Sequence, residues 1–215
     1  MQGRTTLTQI TLAVGSLTGW FAVITQLYLI IVNRVTGITE TLIRYFSFYT
    51  ILTNILVAVC FTISFLRPKS SLGRFFAHST TVTGIAVYIT VVGLVYNLIL
   101  RSLWQPQGLQ RLVDELLHSL VPILFLIYWL LSQPKSALRW KDAFGWLAYP
   151  FLYLLYVLFR GNLSGFYPYP FVNADTLGYS AVFLNCFFLF VAFAGLSMVL
   201  IFIHKMLTKS LSVQE

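Results

Sequence analysis

The stretch RYFSFYTILTNILVAVCF, Arg44–Phe61, decides the fold of this chain. It has the length and apolar content of a membrane span, for which about 20 residues are needed. Yet Ser47, Thr50, Thr53 and Asn54 place four hydrogen-bonding side chains close together within it. In hydrocarbon every polar group needs a partner or a function. The stretch therefore predicts a membrane helix whose polar residues serve either helix packing or chemistry.

The composition of the whole chain is typical of an integral membrane protein. Of its 215 residues, 58% are hydrophobic and only 9% are charged, whereas a soluble domain carries about 25% charged residues. The net charge of +8 lies in short segments between apolar runs, so it indicates membrane topology, and we expect no nucleic-acid partner. Cys60 and Cys186 lie inside apolar runs without metal-ligand spacing, and we expect buried thiols.

Six apolar runs are long enough to cross a bilayer, and the fifth is the shortest. They predict an all-α bundle of six transmembrane helices that forms a single domain over residues 1–215, because the connections are too short for a second domain. The runs cover roughly residues 8–32, 43–66, 79–100, 111–132, 142–159 and 179–204.

The charges between the runs predict the orientation, because Lys and Arg accumulate on the cytoplasmic side of membrane proteins. Both termini should therefore face the cytoplasm, in a bacterial cytoplasmic membrane or a eukaryotic endomembrane. The side that holds the termini carries nine basic residues: Arg4, Arg67, Lys69, Arg74, Lys135, Arg139, Lys141, Lys205 and Lys209. The opposite side carries five: Arg34, Arg44, Arg101, Arg111 and Arg160.

Polar residues of spans two and four lie at one depth in the outer half of the membrane. At about 1.5 Å per residue, Ser47 and Thr50 lie roughly 6–11 Å below the start of their span, and His118 lies about 10 Å down. At about 100° per residue, Ser47, Thr50 and Asn54 share one helix face. Asp114 and His118 are four residues apart, so the carboxylate can reach and orient the imidazole.

Hydroxyl, imidazole and carboxylate at one level are the parts of an activated nucleophile. An ionisable group inside a span indicates function, which singles out His118. The alternatives are that the hydroxyls only join helices and that Asp114 is a solvated acid near a helix start.

Three short motifs resemble the androgen-induced-gene and androgen-dependent TFPI-regulating proteins, a family of six-span membrane hydrolases. They are IRYFSFYTILTN (43–54), LLHSLVP (116–122) and GFYPYPF (165–171), and the six-span layout is also similar. In the register of this family the nucleophile position falls on Ser47 and the histidine on His118. The chain also resembles uncharacterised bacterial six-span proteins, in which Thr50, three residues later, is an equal candidate for the nucleophile.

The resemblance implies hydrolysis of a fatty-acyl ester, such as an ester of a hydroxy fatty acid, without a metal or organic cofactor. His118 would take the proton of the attacking hydroxyl and return it to the leaving alcohol. Asn54, Asn97 or Arg160 would stabilise the oxyanion.

Three other readings stay open. A small transporter or binding protein would use the polar outer-leaflet cavity without catalysis. A haem protein would need axial ligands, for which His78 and His204 are the available pair. In a structural or assembly factor, the polar residues would affect stability alone.

Overall fold

The computed structural model of the protein describes residues 5–132 and 137–212, with side chains as far as Lys209. Every regular element in these residues is helical. The α-helices are α1 (Thr6–Val32), α2 (Ile38–Phe46), α3 (Tyr49–Leu66), α4 (Ser71–Phe76), α5 (Ser79–Val95), α6 (Gly108–Glu115), α7 (Val121–Leu131), α8 (Asp142–Trp146), α9 (Ala148–Ser164) and α10 (Ala174–Ser212). Two π-helical turns, Tyr96–Leu100 and Leu116–Leu120, continue α5 and join α6 to α7, and Pro170–Val172 forms a 3-10 turn.

Within the described part of the chain, six helical segments are long and apolar enough to cross a membrane, which confirms the predicted six-span, all-helical protein. They are Thr6–Val32, Tyr49–Leu66, Ser79–Leu100, Gly108–Leu131, Asp142–Ser164 and Ala174–Lys209. Arg4 and Lys135, two of the residues behind the predicted orientation, lie outside the described residues. The cytoplasmic location of the termini stays a prediction.

The second span differs from the continuous helix predicted over residues 43–66. Helix α2 ends at Phe46, Phe48 has an extended backbone (φ −82°, ψ 125°), and α3 begins at Tyr49. The Ser47 hydroxyl donates to the carbonyl oxygen of Ile43 at 2.7 Å, a local bond that competes with helix continuation. Ser47 therefore belongs to a helix junction, and the angle computed for a straight helix does not apply to it.

The fifth span begins at Asp142 as predicted but ends later, and the sixth span begins and ends outside its predicted bounds. The fifth extends to Ser164 but is divided at Leu147, because Pro150 has no N–H to bond the carbonyl of Trp146. The sixth begins at Ala174 and changes direction at Gly178, where φ is 72° and ψ is 155°. Only glycine adopts this backbone conformation readily.

Aromatic packing fills the end of the bundle near the termini. Phe61 of α3 packs against Phe125 and Tyr128 of α7, with ring centroids 5.3 and 5.7 Å apart. Helix α1 approaches α3 closely at Gly15, where an added Cβ would lie 2.6 Å from the Phe61 ring. Small residues permit such close helix contacts in membranes. The opposite end of the bundle is less filled, and the candidate site lies there.

Candidate functional site

An open cavity of about 820 Å³, here called the large cavity, lies at the end of the bundle that is remote from the termini. Its walls come from the end of α1, the α2–α3 junction, both π turns and the connection before α10. The volume lies within the usual range of ligand pockets, about 300–1,000 Å³. Its polar and aromatic lining consists of Gln26, Asn33, Tyr45, Phe48, Thr50, Tyr96, Trp104, Gln105, Gln107, Gln110, Asp114, His118 and Tyr169.

A second cavity of about 80 Å³, here called the small cavity, adjoins the large one. Thr50, Tyr96, Leu100 and Tyr169 line both cavities. The rest of the small cavity is mainly apolar and is formed by α5, α9 and α10. Thr50 therefore stands where the large cavity, whose lining includes several polar side chains, meets a nearly apolar one.

His118 lines the large cavity, and one of its two ring nitrogens has no hydrogen-bond partner among the described residues. Its Nδ1 lies 2.9 Å from the carbonyl oxygen of Asp114. A carbonyl can only accept a hydrogen bond, so Nδ1 must carry the proton. Among the described residues no group hydrogen-bonds Nε2, which holds the lone pair in this neutral tautomer. The ring stacks on Tyr96 with centroids 3.8 Å apart and planes 12° apart. His118 is thus oriented on two sides, with Nε2 available as a base.

The carboxylate of Asp114 has a different partner from the one that its spacing predicts. Its Oδ2 accepts a hydrogen bond from Trp104 Nε1 at 2.7 Å, while Oδ1 is 3.8 Å from His118 Nδ1. That separation is too long for a hydrogen bond. The main-chain carbonyl of Asp114, not the carboxylate, therefore fixes the tautomer of His118.

Thr50 occupies the second position of α3, directly after the helix junction. Its N–H donates to the hydroxyl oxygen of Tyr169 at 3.1 Å, and its Oγ1 lies 3.3 Å from the same oxygen. Tyr153 accepts the neighbouring N–H of Tyr49 at 3.2 Å. Two tyrosine hydroxyls therefore cap α3, whose N-cap residue, Phe48, has no side-chain acceptor.

Ser47, by contrast, is outside the lining of both cavities. It is fully buried, and because its proton goes to Ile43, the hydroxyl of Tyr156 must donate to Ser47 Oγ, at 2.8 Å. The carbonyl of Ser47 also accepts from Tyr153 at 2.8 Å. The structure thus brings Thr50 and His118 to one cavity and uses Ser47 to attach the helix junction to α9.

The three predicted oxyanion donors, Asn54, Asn97 and Arg160, are also outside the cavity lining. The amide nitrogens of Asn54 and Asn97 donate to main-chain carbonyls of neighbouring helices. Arg160 donates to Glu40 Oε1 at 2.7 Å and to the carbonyl of Phe166 at 3.3 Å. All three serve the framework around the site.

Arg160 belongs to a cluster that fixes the 5–6 loop, residues 165–173. Arg44 also binds Glu40 Oε1, at 2.8 Å, and both guanidinium groups lie over the Phe166 ring, 4.6 and 4.8 Å from its centroid. The hydrogen bonds from Arg44 and then Arg160 lower the pKa of Glu40 below its ordinary value of 4.5, although partial burial opposes the shift. The cluster anchors the loop that carries Tyr169.

Sequence reasoning missed Tyr169, Tyr96 and Trp104 as parts of the site. Tyr169 lies within the quoted GFYPYPF motif, which is part of the family resemblance but gives no sign of a contact with Thr50. Tyr96 faces His118 because of the π turn that begins at Tyr96, and spacing alone gives no signal for such a turn.

The described residues contain no group of three or more His, Cys, Asp or Glu side chains that could hold a metal ion. Of the histidines considered as haem ligands, His78 is exposed at the start of α5 and His204 is fully buried in α10. These different surroundings do not favour their pairing.

Comparison with protein-family models, curated proteins and solved structures finds no match to this chain.

Proposed function

We propose that the protein is a membrane-embedded esterase that hydrolyses a fatty-acyl ester, with Thr50 as the nucleophile and His118 as the general base. The observation that carries the proposal is that a hydroxyl and an imidazole with an unbonded Nε2 line the same cavity. Thr50 is preferred to Ser47 because the Ser47 hydroxyl is fully buried and hydrogen-bonded outside the cavity. The resemblance to the androgen-induced-gene family points to the same chemistry.

In the first half of the reaction, His118 Nε2 removes the proton of Thr50 as Oγ1 attacks the ester carbonyl. The imidazolium then returns this proton to the departing alkoxide, which leaves as the alcohol, and the acyl group stays on Thr50. In the second half, His118 deprotonates a water that attacks the acyl-threonine. The fatty acid leaves, and the proton returns to Oγ1.

The oxyanion of each tetrahedral intermediate needs a donor close to Oγ1. The Tyr169 hydroxyl, 3.3 Å from Thr50 Oγ1, is placed for this role. The N–H of Thr50, now bound to the Tyr169 oxygen, is a second donor beside the same atom. We therefore assign the oxyanion function to Tyr169 in place of the predicted Asn54, Asn97 and Arg160.

The two cavities support a substrate with an apolar and a polar part. The apolar lining of the small cavity beside Thr50 suits a short part of a hydrocarbon chain, whereas the glutamine amides of the large cavity can hydrogen-bond a carboxylate or hydroxyl on the other half of the ester. An ester of a hydroxy fatty acid has both parts.

A fluorophosphonate probe followed by peptide mapping tests the nucleophile. We expect an adduct on Thr50 that is lost in Thr50→Ala and kept in Thr50→Ser. Ser47→Ala is the matched control, because it removes a hydroxyl of the same segment that lies outside the cavity. An adduct on Ser47, or no adduct in active parent protein, would overturn the assignment.

The alternative is a binding or transport protein that performs no catalysis. The size of the large cavity and the glutamine side chains in its lining favour it. Gln110 Nε2 donates to Gln26 Oε1 at 2.8 Å within this lining. This alternative requires saturable binding of a lipid ester with neither turnover nor covalent labelling.

A further inference from the structure

Asn54 links the backbone of Thr50 to the turn that carries His118. Its Nδ2 donates one hydrogen bond to the carbonyl of Thr50, at 2.8 Å, and another to the carbonyl of Leu117, at 3.2 Å. Both donor protons of the amide are used, and the side chain is fully buried. One side chain therefore holds the backbone of the proposed nucleophile and the residue before the proposed base at a fixed separation.

Asn97 repeats this pattern from the π turn that continues α5. Its Nδ2 donates to the carbonyl of Gly93, four residues earlier, at 2.8 Å and to the carbonyl of His118 at 3.2 Å. The approach is close because Gly93 has no side chain, and an added Cβ there would lie 3.1 Å from the His118 oxygen. Two asparagines on different helices thus bind consecutive carbonyls of one π turn.

Those two carbonyls lack their helical donors for two different reasons. In a regular α-helix the carbonyl of His118 would accept from residue 122, but Pro122 has no N–H. The carbonyl of Leu117 would accept from Val121, whose N–H bonds Leu116 in the π turn instead. Pro122 therefore removes the helical donor of one carbonyl and the π turn removes that of the other, and a buried carbonyl without a donor is costly.

We propose that Asn54 and Asn97 are positioning residues for His118, an inference that rests on the proposed function. They stabilise the π turn and so hold His118 in the wall of the large cavity, which Thr50 also lines. A π turn holds one more residue than an α-helical turn, so its loss would rotate the segment on one side by about 100° relative to the other. His118 would then leave the cavity wall.

A double-mutant cycle of Asn97→Leu and Pro122→Ala tests the stabilising role without any need for turnover. Asn97→Leu should raise the unfolding equilibrium constant about tenfold in the parent and clearly less in Pro122→Ala, where a new N–H can serve the His118 carbonyl. Equal effects in the two backgrounds would overturn the inference.

Asn185→Leu is the matched control for this cycle, because Asn185 Nδ2 makes a similar bond to the carbonyl of Phe171, at 2.9 Å. Its effect should add to that of Pro122→Ala.

Nitrogen-15 NMR of the His118 ring supplies a second measurement, for which Asn97→Leu is the only variant needed. The protonated-Nδ1 signal should be lost or mixed with the other tautomer, and an unchanged signal would contradict the inference.

Kinetics then separate this inference from the proposed function. If the parent hydrolyses a long-chain acyl ester, Asn54→Leu and Asn97→Leu should each lower kcat by about 10²-fold with little change in KM. Pro122→Ala should restore part of the loss in Asn97→Leu. If both asparagine variants keep the kcat of the parent, the positioning role is overturned. If the parent itself is inactive, the esterase proposal is overturned, and the stability cycle and the NMR measurement then decide the role of the asparagines.

Discussion

Removing the hydroxyl of Tyr169 by Tyr169→Phe separates its two proposed roles, capping α3 and binding the oxyanion. The hydroxyl accepts the N–H of Thr50 at 3.1 Å and lies 3.3 Å from Thr50 Oγ1. The second distance exceeds the usual range between hydroxyls, about 2.5–3.0 Å, so the N–H bond dominates the stability effect. An unsatisfied buried N–H costs about 1–3 kcal/mol, and we expect the lower half of that range.

The expected effect on catalysis is larger than the effect on stability. Removing one oxyanion donor lowers kcat by about 10²–10³-fold, or about 2.7–4 kcal/mol, and KM should change little. The assay is steady-state hydrolysis of a long-chain acyl ester by the protein in lipid nanodiscs, together with its thermal unfolding.

Tyr153→Phe is the matched control for this prediction. Tyr153 accepts the N–H of Tyr49 at 3.2 Å and donates to the carbonyl of Ser47 at 2.8 Å, and it lines the small cavity only. Its loss should destabilise the protein at least as much as Tyr169→Phe but leave kcat within a few fold of the parent. Equal losses of kcat in the two variants would refute the oxyanion role and reduce Tyr169 to a helix cap.

Three further predictions concern orientation, acid stability and Asp114. If the termini are cytoplasmic as predicted, a cysteine at Ser70 should be protected from a membrane-impermeant maleimide in sealed cells, and a cysteine at Asn162 should react. The reverse labelling pattern would contradict the predicted orientation. The lowered pKa of Glu40 means that its ionised form stabilises the fold above its ordinary pKa of 4.5 and that this contribution is lost as the pH falls further. Glu40→Gln should therefore unfold with a weaker dependence on pH below about 4.5 than the parent, and identical acid profiles would contradict this. Asp114→Asn should lower kcat less than His118→Ala, because the main-chain carbonyl, not the carboxylate, binds His118 Nδ1.

The six spans could be predicted from the sequence because each is an unbroken apolar run of sufficient length. The division of the second span could not be predicted, because it depends on hydrogen-bond partners that are far away in the chain. Tyr153 and Tyr169 supply the caps that let α3 begin at Tyr49, and they are more than 100 residues away. A straight-helix angle therefore grouped Ser47 with Thr50, although the junction turns Ser47 toward Tyr156.

The candidate site was predictable in its residue types but less so in its contacts. His118 stood out as an ionisable group inside a span, and Thr50 was one of two candidate nucleophiles. The stacking of Tyr96 on His118 depends on two π turns at one level. Pro122 was visible in the sequence, but the two asparagines that bind the carbonyls around it become apparent only once the helices are packed.

The most direct test of the central claim is the steady-state kinetics of Thr50→Ala, His118→Ala and the double variant on a long-chain acyl ester. A nucleophile and its base act as one unit, so each single change should lower kcat by about 10³-fold or more, and the double change should be scarcely worse. Ser47→Ala should retain turnover if it folds. The account is contradicted if both single variants turn over like the parent, or if Ser47→Ala abolishes activity and probe labelling while Thr50→Ala keeps both.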